Sequence, residues 1–349
     1  MKDKLLITNR PITGKNDGPE IILDSIFQEC DVNTYDFCCD FKITDSAHNV
    51  KPKIKIPFLH IHREIFFLLN NFKKIKSYKT IVIFSFYSCP LILFLIKIIK
   101  KIKPKIIIIG YDSYYRENII KMKKQKSFLK KIQFFFKSLT LNFVEYLASI
   151  SSDKIYLVSK ECVDFSINKV NKQGSYKCFP LLPKINKDLF IKDKDFDYKN
   201  LLIIGPFITE IDMIDLKINL DLISNLKFIE NIHFFGKDSY KAKSISGYPG
   251  ETYEYIDDFD SYFSQNSNVI IYNRINTPGI QTKLQKIIMY NNLVFCHSGI
   301  DVGNELNAFC HDIKDCINLK DYRKQVNLED IVNASDNTLN ELKLIVKDF

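Results

Sequence analysis

The sequence predicts an α/β protein of two domains, each a parallel sheet flanked by helices. Three observations predict it. At 349 residues the chain is long enough for two domains of ~100–200 residues each. Short runs rich in Ile, Val and Leu alternate with helix-like stretches in both halves, the pattern of βαβ units. The two halves also carry opposite charge: residues 1–190 hold 33 Lys/Arg against 17 Asp/Glu, and residues 191–349 hold 17 against 24. With 46% hydrophobic and 26% charged residues, disordered and fibrous architectures are excluded.

In the first half, Leu5-Leu6-Ile7-Thr8 reads as a strand, followed by a glycine-containing loop and a helix from about Glu20. Thr80 to Phe84 is the next clear strand, Pro90 to Lys103 a helix opened and closed by prolines, and Lys105 to Gly110 a strand. The uncharged stretch from Thr80 to Ile96 reaches the lower length limit for a membrane span, but Ser85, Tyr87, Ser88 and Pro90 interrupt it, so strand, turn and helix is the better reading. From Glu117 to Ala148 runs a long, broken helical stretch in which six lysines between Lys121 and Lys131 neighbour Phe128, Ile132, Phe134, Phe135 and Phe136. That composition suits a membrane-surface helix or, equally, a helix with its aromatics in the core. Ile155 to Ser159 is a further strand, and the alternating charges of Lys187 to Asn200 mark a linker.

The second half restarts the pattern with strands at Leu201 to Ile204, Ile232 to Phe235, Asn268 to Tyr272 and Leu293 to His297, and a helix from about Ile280 to Tyr290. The domain boundaries this gives are 1–186, a linker 187–199, 200–335 and a C-terminal helix 336–349. Nine cysteines without a CxxC, and an opening Met1-Lys2-Asp3-Lys4 that leads into only a short apolar run, predict a cytoplasmic protein with reduced thiols. Residues 51–150 carry 21 basic against 4 acidic side chains, which suits an anionic membrane surface or a phosphorylated substrate. Only five arginines are present, so base-reading contacts to nucleic acid are not expected.

Ligands of doubly wound sheets bind beyond the carboxyl ends of the strands, which nominates the loops at 110–115, 205–206, 236–239, 273–283 and 297–303. In the third of these in the second half, Arg274 to Leu284, a strand runs through Pro278-Gly279 into a helix. Its free N–H groups, with Arg274 and Lys283, suit an anionic diphosphate. Asp112, at the end of a strand, is the first candidate for a base on an acceptor hydroxyl; the alternative is that it caps the next helix. Asp17 is a second candidate. Asp258-Phe259-Asp260 spells a metal-diphosphate motif but reads as a helix start, and no metal site is expected.

Gly279-Ile280-Gln281-Thr282-Lys283-Leu284, a helix, and then Asn291 to Gly299 resemble the sugar-nucleotide loop, helix and strand of family 4 GT-B glycosyltransferases. The glycines Gly14 and Gly18, the pair Tyr111-Asp112, Val158-Ser159, and the strand-ending Gly205 and Gly236 fall in that family's order. The resemblance implies two Rossmann-like domains facing a cleft, the first binding an acceptor through the Gly14 and Gly18 loop and the second a nucleotide-sugar. The donor-binding residues it implies are Gly205, Gly236, Arg274, Gly279, Ile280, Gln281, Thr282, Lys283 and Lys286, with no cofactor beyond the co-substrate. The activity it implies is transfer of a sugar to a lipid-linked glycan in bacterial surface polysaccharide assembly, O-antigen or capsule, at the cytoplasmic face of the inner membrane. Lys286 stands where the family has a ribose-binding glutamate, Tyr111 replaces a histidine, and no basic residue follows Gly205 closely. These departures motivate the alternative of a non-catalytic GT-B-like partner subunit.

Overall fold

The computed structural model describes residues 4–8, 33–36, 47–49, 78–84, 104–110, 113–170, 176–179, 187–191, 194–266, 268–277, 281–315 and 328–347. The chain divides into two compact units, Met1–Leu181 with Leu339–Phe349, and Leu182–Thr338.

Unit 1 holds a seven-stranded parallel sheet of β1 (Lys4–Thr8), β2 (Asn33–Asp36), β3 (Ala47–Asn49), β4 (Thr80–Phe84), β5 (Lys105–Gly110), β6 (Lys154–Leu157) and β7 (Tyr176–Cys178), in the order β3-β2-β1-β4-β5-β6-β7. β4 and β5 are apolar on both faces and buried throughout their central residues, as parallel strands covered on two sides must be. The long helical stretch breaks at Gln125 to Ser127 into α1 (Tyr114–Lys124) and α2 (Phe128–Ser151), and α3 (Lys160–Val170) follows β6. Most of the aromatics on α2 lie outside the core. Ser138, Glu145 and Ala148 form its buried face, whereas Phe128, Leu129, Phe135, Phe136, Leu139 and Phe143 are exposed.

Unit 2 is built from β8 (Asn200–Ile204), α4 (Glu210–Ile223), β9 (Asn231–Phe235), α5 (Ser239–Ser246), β10 (Thr252–Tyr253), α6 (Phe259–Gln265), β11 (Val269–Tyr272), α7 (Thr282–Met289), β12 (Leu293–Cys296) and β13 (Cys310–Asp312). Its six parallel strands run β10-β9-β8-β11-β12-β13, with Ile204 beside Phe235 on one flank and Tyr272 on the other. Alternate residues feed two cores. Leu201, Ile203, Phe234, Ile271 and Phe295 pack with Leu216, Ile223 and Ala242 of α4 and α5. Leu202, Ile204, Ile270 and Val294 pack with Leu284, Ile287 and Ile288 of α7 and Phe263 of α6. The period of two sends successive side chains to opposite faces, and each face meets an apolar helix stripe.

Two features depart from the sequence reading. Cys296 and Cys310, expected as free thiols, form a disulfide between the neighbouring strands β12 and β13, with Cα atoms 6.5 Å apart. Lys194, in the charged run read as a linker, is buried, and its ammonium donates to the carbonyls of Phe263 (2.7 Å) and Asn266 (3.2 Å). These carbonyls lie at the carboxyl end of α6, where the helix leaves acceptors without internal partners and cations are favoured. Burial pulls the Lys194 ammonium down to about 8. The folded chain therefore releases this proton before the unfolded chain does, and stability gains as pH rises from about 8 toward the unfolded lysine value, by roughly 1 kcal/mol per pH unit from this group. In urea melts between pH 8 and 10, Lys194→Met is expected to flatten that rise.

A last helix, α8 (Leu328–Lys347), spans the division between the units. Among the described residues no helix is long and apolar enough to cross a membrane.

Candidate active site

The strand order of unit 2 reverses between β8 and β11, and a crevice opens at such a switch point beyond the carboxyl ends. Gly205 follows β8 and Gly236 follows β9. The ladder continues through both: Gly205 N–H donates to Phe235 O (3.0 Å), Gly236 N–H to Tyr253 O (2.8 Å), and Asn273 N–H to Ile204 O (2.8 Å). A Cβ on Gly236 would lie 1.6 Å from the Gly205 carbonyl oxygen, and its φ of +137° is open to glycine alone. A Cβ on Gly205 would meet Asn273 Cβ at 2.8 Å. The two glycines thus bring three strand ends together and leave bare backbone at the switch point.

The loop leaving β11 is clamped from α4. Asp212, Asp215 and Asn219 recur at helical spacing on one buried stripe. Asp212 closes a capping box with Thr209, its Oδ2 accepting from Thr209 N–H (2.9 Å) and Oγ1 (2.8 Å), while its Oδ1 pairs with Arg274 Nε at 3.2 Å. Asp215 Oδ2 accepts from Ile275 N–H at 3.0 Å. Asn219 Nδ2 donates to the Asn273 carbonyl (2.8 Å), and its Oδ1 lies 2.7 Å from Nε2 of His297, beyond the end of β12. With Asn219 Oδ1 as the acceptor, Nε2 of His297 carries the proton.

The start of α7 is anchored twice. Tyr272 Oη donates to Gln281 Oε1 (2.6 Å), and Gln281 N–H donates to the Asp301 carbonyl (2.9 Å). Thr282 and Lys283 open the helix, so their N–H groups lack a preceding helical turn. Lys283 is exposed and holds its ammonium 5.5 Å above the Phe235 ring, at the end of β9. Lys286, one turn on, is buried, pairs with Asp260 Oδ1 at 2.7 Å and lies 5.9 Å above Phe259.

No family model and no curated protein matches the sequence. Solved structures do match along almost the whole chain. The lipopolysaccharide outer core galactosyltransferase WaaB, in its apo form, overlays with a TM-score of 0.64 at 12% identity, covering 99% of this chain and 98% of its own. Anabaena HepE in complex with UDP and glucose gives 0.58 at 10% identity, covering 99% and 95%. A glycosyltransferase from Rickettsia africae gives 0.57 at 10% identity, covering 99% and 94%. The chain has the GT-B fold.

Within its GT-B frame, the structure brings Gly205, Gly236, Arg274, Gln281, Thr282 and Lys283 to the carboxyl edge of one sheet. Arg274 reaches that edge already paired to Asp212, and Lys286 already paired to Asp260. Gly279 and Ile280 lie outside the described residues, as do Gly14, Asp17, Gly18 and Asp112 of the first GT-B domain. The cap of α1 is Ser113 rather than Asp112: its Oγ accepts from Arg116 N–H at 3.1 Å. Ser113 Oγ also donates to Glu145 of α2, which accepts from Tyr115 N–H at 3.1 Å. A buried carboxylate therefore sits just beyond β5, and sequence reading missed it. Burial, reinforced by Glu145, pushes the Tyr176 phenol well above its ordinary range. The Asp258-Phe259-Asp260 motif divides: Asp258 caps α6, accepting from Ser261 N–H at 2.9 Å, and Asp260 holds Lys286. Among the described residues no three His, Cys, Asp or Glu side chains are placed to hold a metal.

Proposed function

We propose that this chain is a glycosyltransferase that moves a sugar from a nucleotide-sugar to a lipid-linked glycan acceptor in bacterial surface polysaccharide assembly, at the cytoplasmic face of the inner membrane. One observation carries the reading: at the switch point of unit 2, the glycine-bared ends of β8 and β9 lie at the same edge as the start of α7 and the Lys283 ammonium. Bare backbone, helix N–H groups and a cation together suit a diphosphate. The Anabaena HepE structures with UDP and glucose, and with UDP-glucose, support a nucleotide-sugar donor, and WaaB supports a glycolipid acceptor.

In the reaction, the acceptor hydroxyl oxygen bonds to the anomeric carbon as the bond from that carbon to the diphosphate oxygen breaks. The hydroxyl proton passes to a carboxylate, for which Asp112, or failing it Asp17, is the candidate. Charge that develops on the departing diphosphate is met by the α7 start and Lys283, with no metal required. Lys283→Ala is expected to weaken binding of the cognate nucleotide about tenfold. Ligand-observed NMR on a panel of nucleoside mono- and diphosphates and their sugars checks this; undiminished binding by the variant would remove Lys283 from the donor site.

A second reading, a non-catalytic GT-B partner subunit, is favoured by one observation: Lys286, where the family resemblance places a ribose-binding carboxylate, is tied to Asp260. Sugar transfer by the chain alone with any nucleotide-sugar eliminates it.

A further inference from the structure

The Cys296–Cys310 disulfide joins residues 14 apart in sequence and closes a loop at the edge of the unit 2 sheet. Cys296 ends β12 and is 5% exposed, whereas Cys310 opens β13 and is half-buried. Residues 297–309 run between them and finish in a short 3₁₀ helix, Asn304–Phe309. This loop carries two anchors of the candidate active site. His297 Nε2 meets Asn219 Oδ1 at 2.7 Å, and the Asp301 carbonyl accepts from the N–H of Gln281, the residue before α7, at 2.9 Å.

The near half of the loop is packed. Ile300, Val302 and Leu306 bury their side chains in the core that also holds Leu284 and Ile288 of α7. The far end is held by less. Asn307, which accepts from Val302 N–H (2.8 Å) and donates to Asp301 Oδ1 (3.1 Å), is exposed, so water competes for both bonds. β13 is the edge strand, three half-buried residues long, and its only ladder among the described residues is with β12. A strand so short and without an apolar face opens easily unless it is tied down. The disulfide is that tie, and it joins β13 to the residue just before His297.

We propose that Cys296–Cys310 is a thiol–disulfide exchange site for a small thiol of the glutathione kind, and that the closed bond latches the loop that positions α7. In the cytoplasmic setting of the proposed function, a disulfide is a switched bond rather than a permanent staple. Access sets the order of events. The thiolate of the small thiol attacks Sγ of Cys310, the more accessible of the two, and Cys296 leaves as a thiolate that takes up a proton. A second small thiol attacks the outer sulfur of the mixed disulfide, releasing Cys310 as a thiol and the small molecule as its own disulfide. The reverse sequence, with that small disulfide as oxidant, closes the latch. The effect on nucleotide binding rests on the proposed donor site; the exchange itself does not. By linkage, a nucleotide that prefers the closed form shifts the exchange equilibrium toward the disulfide by the same factor.

The test equilibrates the full chain in buffers from reduced to oxidised glutathione. Alkylation with peptide mass spectrometry reads the bonded fraction, hydrogen exchange reads the amides of 304–312, and titration reads binding of the uridine, guanosine, adenosine and thymidine diphosphates. Reduction is expected to speed amide exchange over 304–312 about tenfold and to weaken binding of the cognate diphosphate about fivefold. Cys310→Ser should behave as the reduced parent in every buffer. Cys178→Ser, which removes an exposed thiol from β7 of unit 1, should respond as the parent does. Three results overturn the exchange site: Cys296 and Cys310 alkylated throughout the oxidised series, amide exchange over 304–312 equal in the two states, or a redox response that survives in Cys310→Ser. Diphosphate binding of equal strength in both states overturns the latch on α7. Diphosphate binding in neither state fails the donor site instead, and alkylation and amide exchange still decide the exchange site.

Discussion

Gly236→Ala is expected to cost the chain about 4 kcal/mol or more, read as insoluble protein or as a collapse of the first unfolding transition in urea. Two penalties add at this position. The φ of +137° excludes any side chain, and the new Cβ would sit inside the Gly205 carbonyl at 1.6 Å. Backbone, unlike the end of a flexible side chain, cannot swing aside, so β8 and β9 would have to part at their carboxyl ends. Gly247→Ala is the control. It too has a positive φ, of +72°, but nothing lies within 4 Å of the position its Cβ would take. Only the conformational cost of about 1–2 kcal/mol applies there. Similar losses at both sites would mean that the close approach of the two strand ends is not what the glycine serves.

Asp212→Ala is expected to cost about 2–3 kcal/mol and, under the proposed function, to weaken nucleotide binding as well. One carboxylate serves two structures: it completes the cap of α4 and holds Arg274, so its removal takes away a cap worth about 1 kcal/mol and strands part of a guanidinium. Arg274 retains solvent contact, which keeps the loss below that of a fully buried pair. Asp212→Asn keeps the shape and loses the charge, and should fall between parent and Ala variant. Urea midpoints and nucleotide titrations on all three check both effects; a stability loss without any change in binding would detach the Arg274 loop from the donor site.

How much of this was legible in the sequence follows from where the information sits. The central strands β4, β5, β8, β9, β11 and β12 are runs of Ile, Val, Leu and Phe, because both faces of a parallel strand are covered, and they stand out against charged surroundings. The short strands β2, β3, β10 and β13 spell Asn-Thr-Tyr-Asp, Ala-His-Asn, Thr-Tyr and Cys-His-Asp, and carry no apolar signal. They are strands because a neighbour offers hydrogen bonds, which a local reading cannot see. The glycines and the α7 start were legible because turn chemistry is local. The clamp of Asp212, Asp215 and Asn219 was not: its partners lie some 60 residues further along, and a polar stripe at helical spacing looks like a solvated face. Lys286 was legible as an odd residue in its place, but Asp260, the partner that accommodates it, was set aside as part of a helix start.

Unit 1 is assembled from two stretches of chain, Met1–Leu181 and Leu339–Phe349, with the whole of unit 2 threaded between them. On the ribosome this sets an order. Unit 2 is contiguous and can close on itself as soon as it is made, whereas unit 1, although its seven strands all lie before residue 179, waits for Leu339–Phe349 to be complete. The second unit thus acts as a timer on the first, and a slow stretch of translation within it would lengthen the period in which unit 1 lacks its last segment.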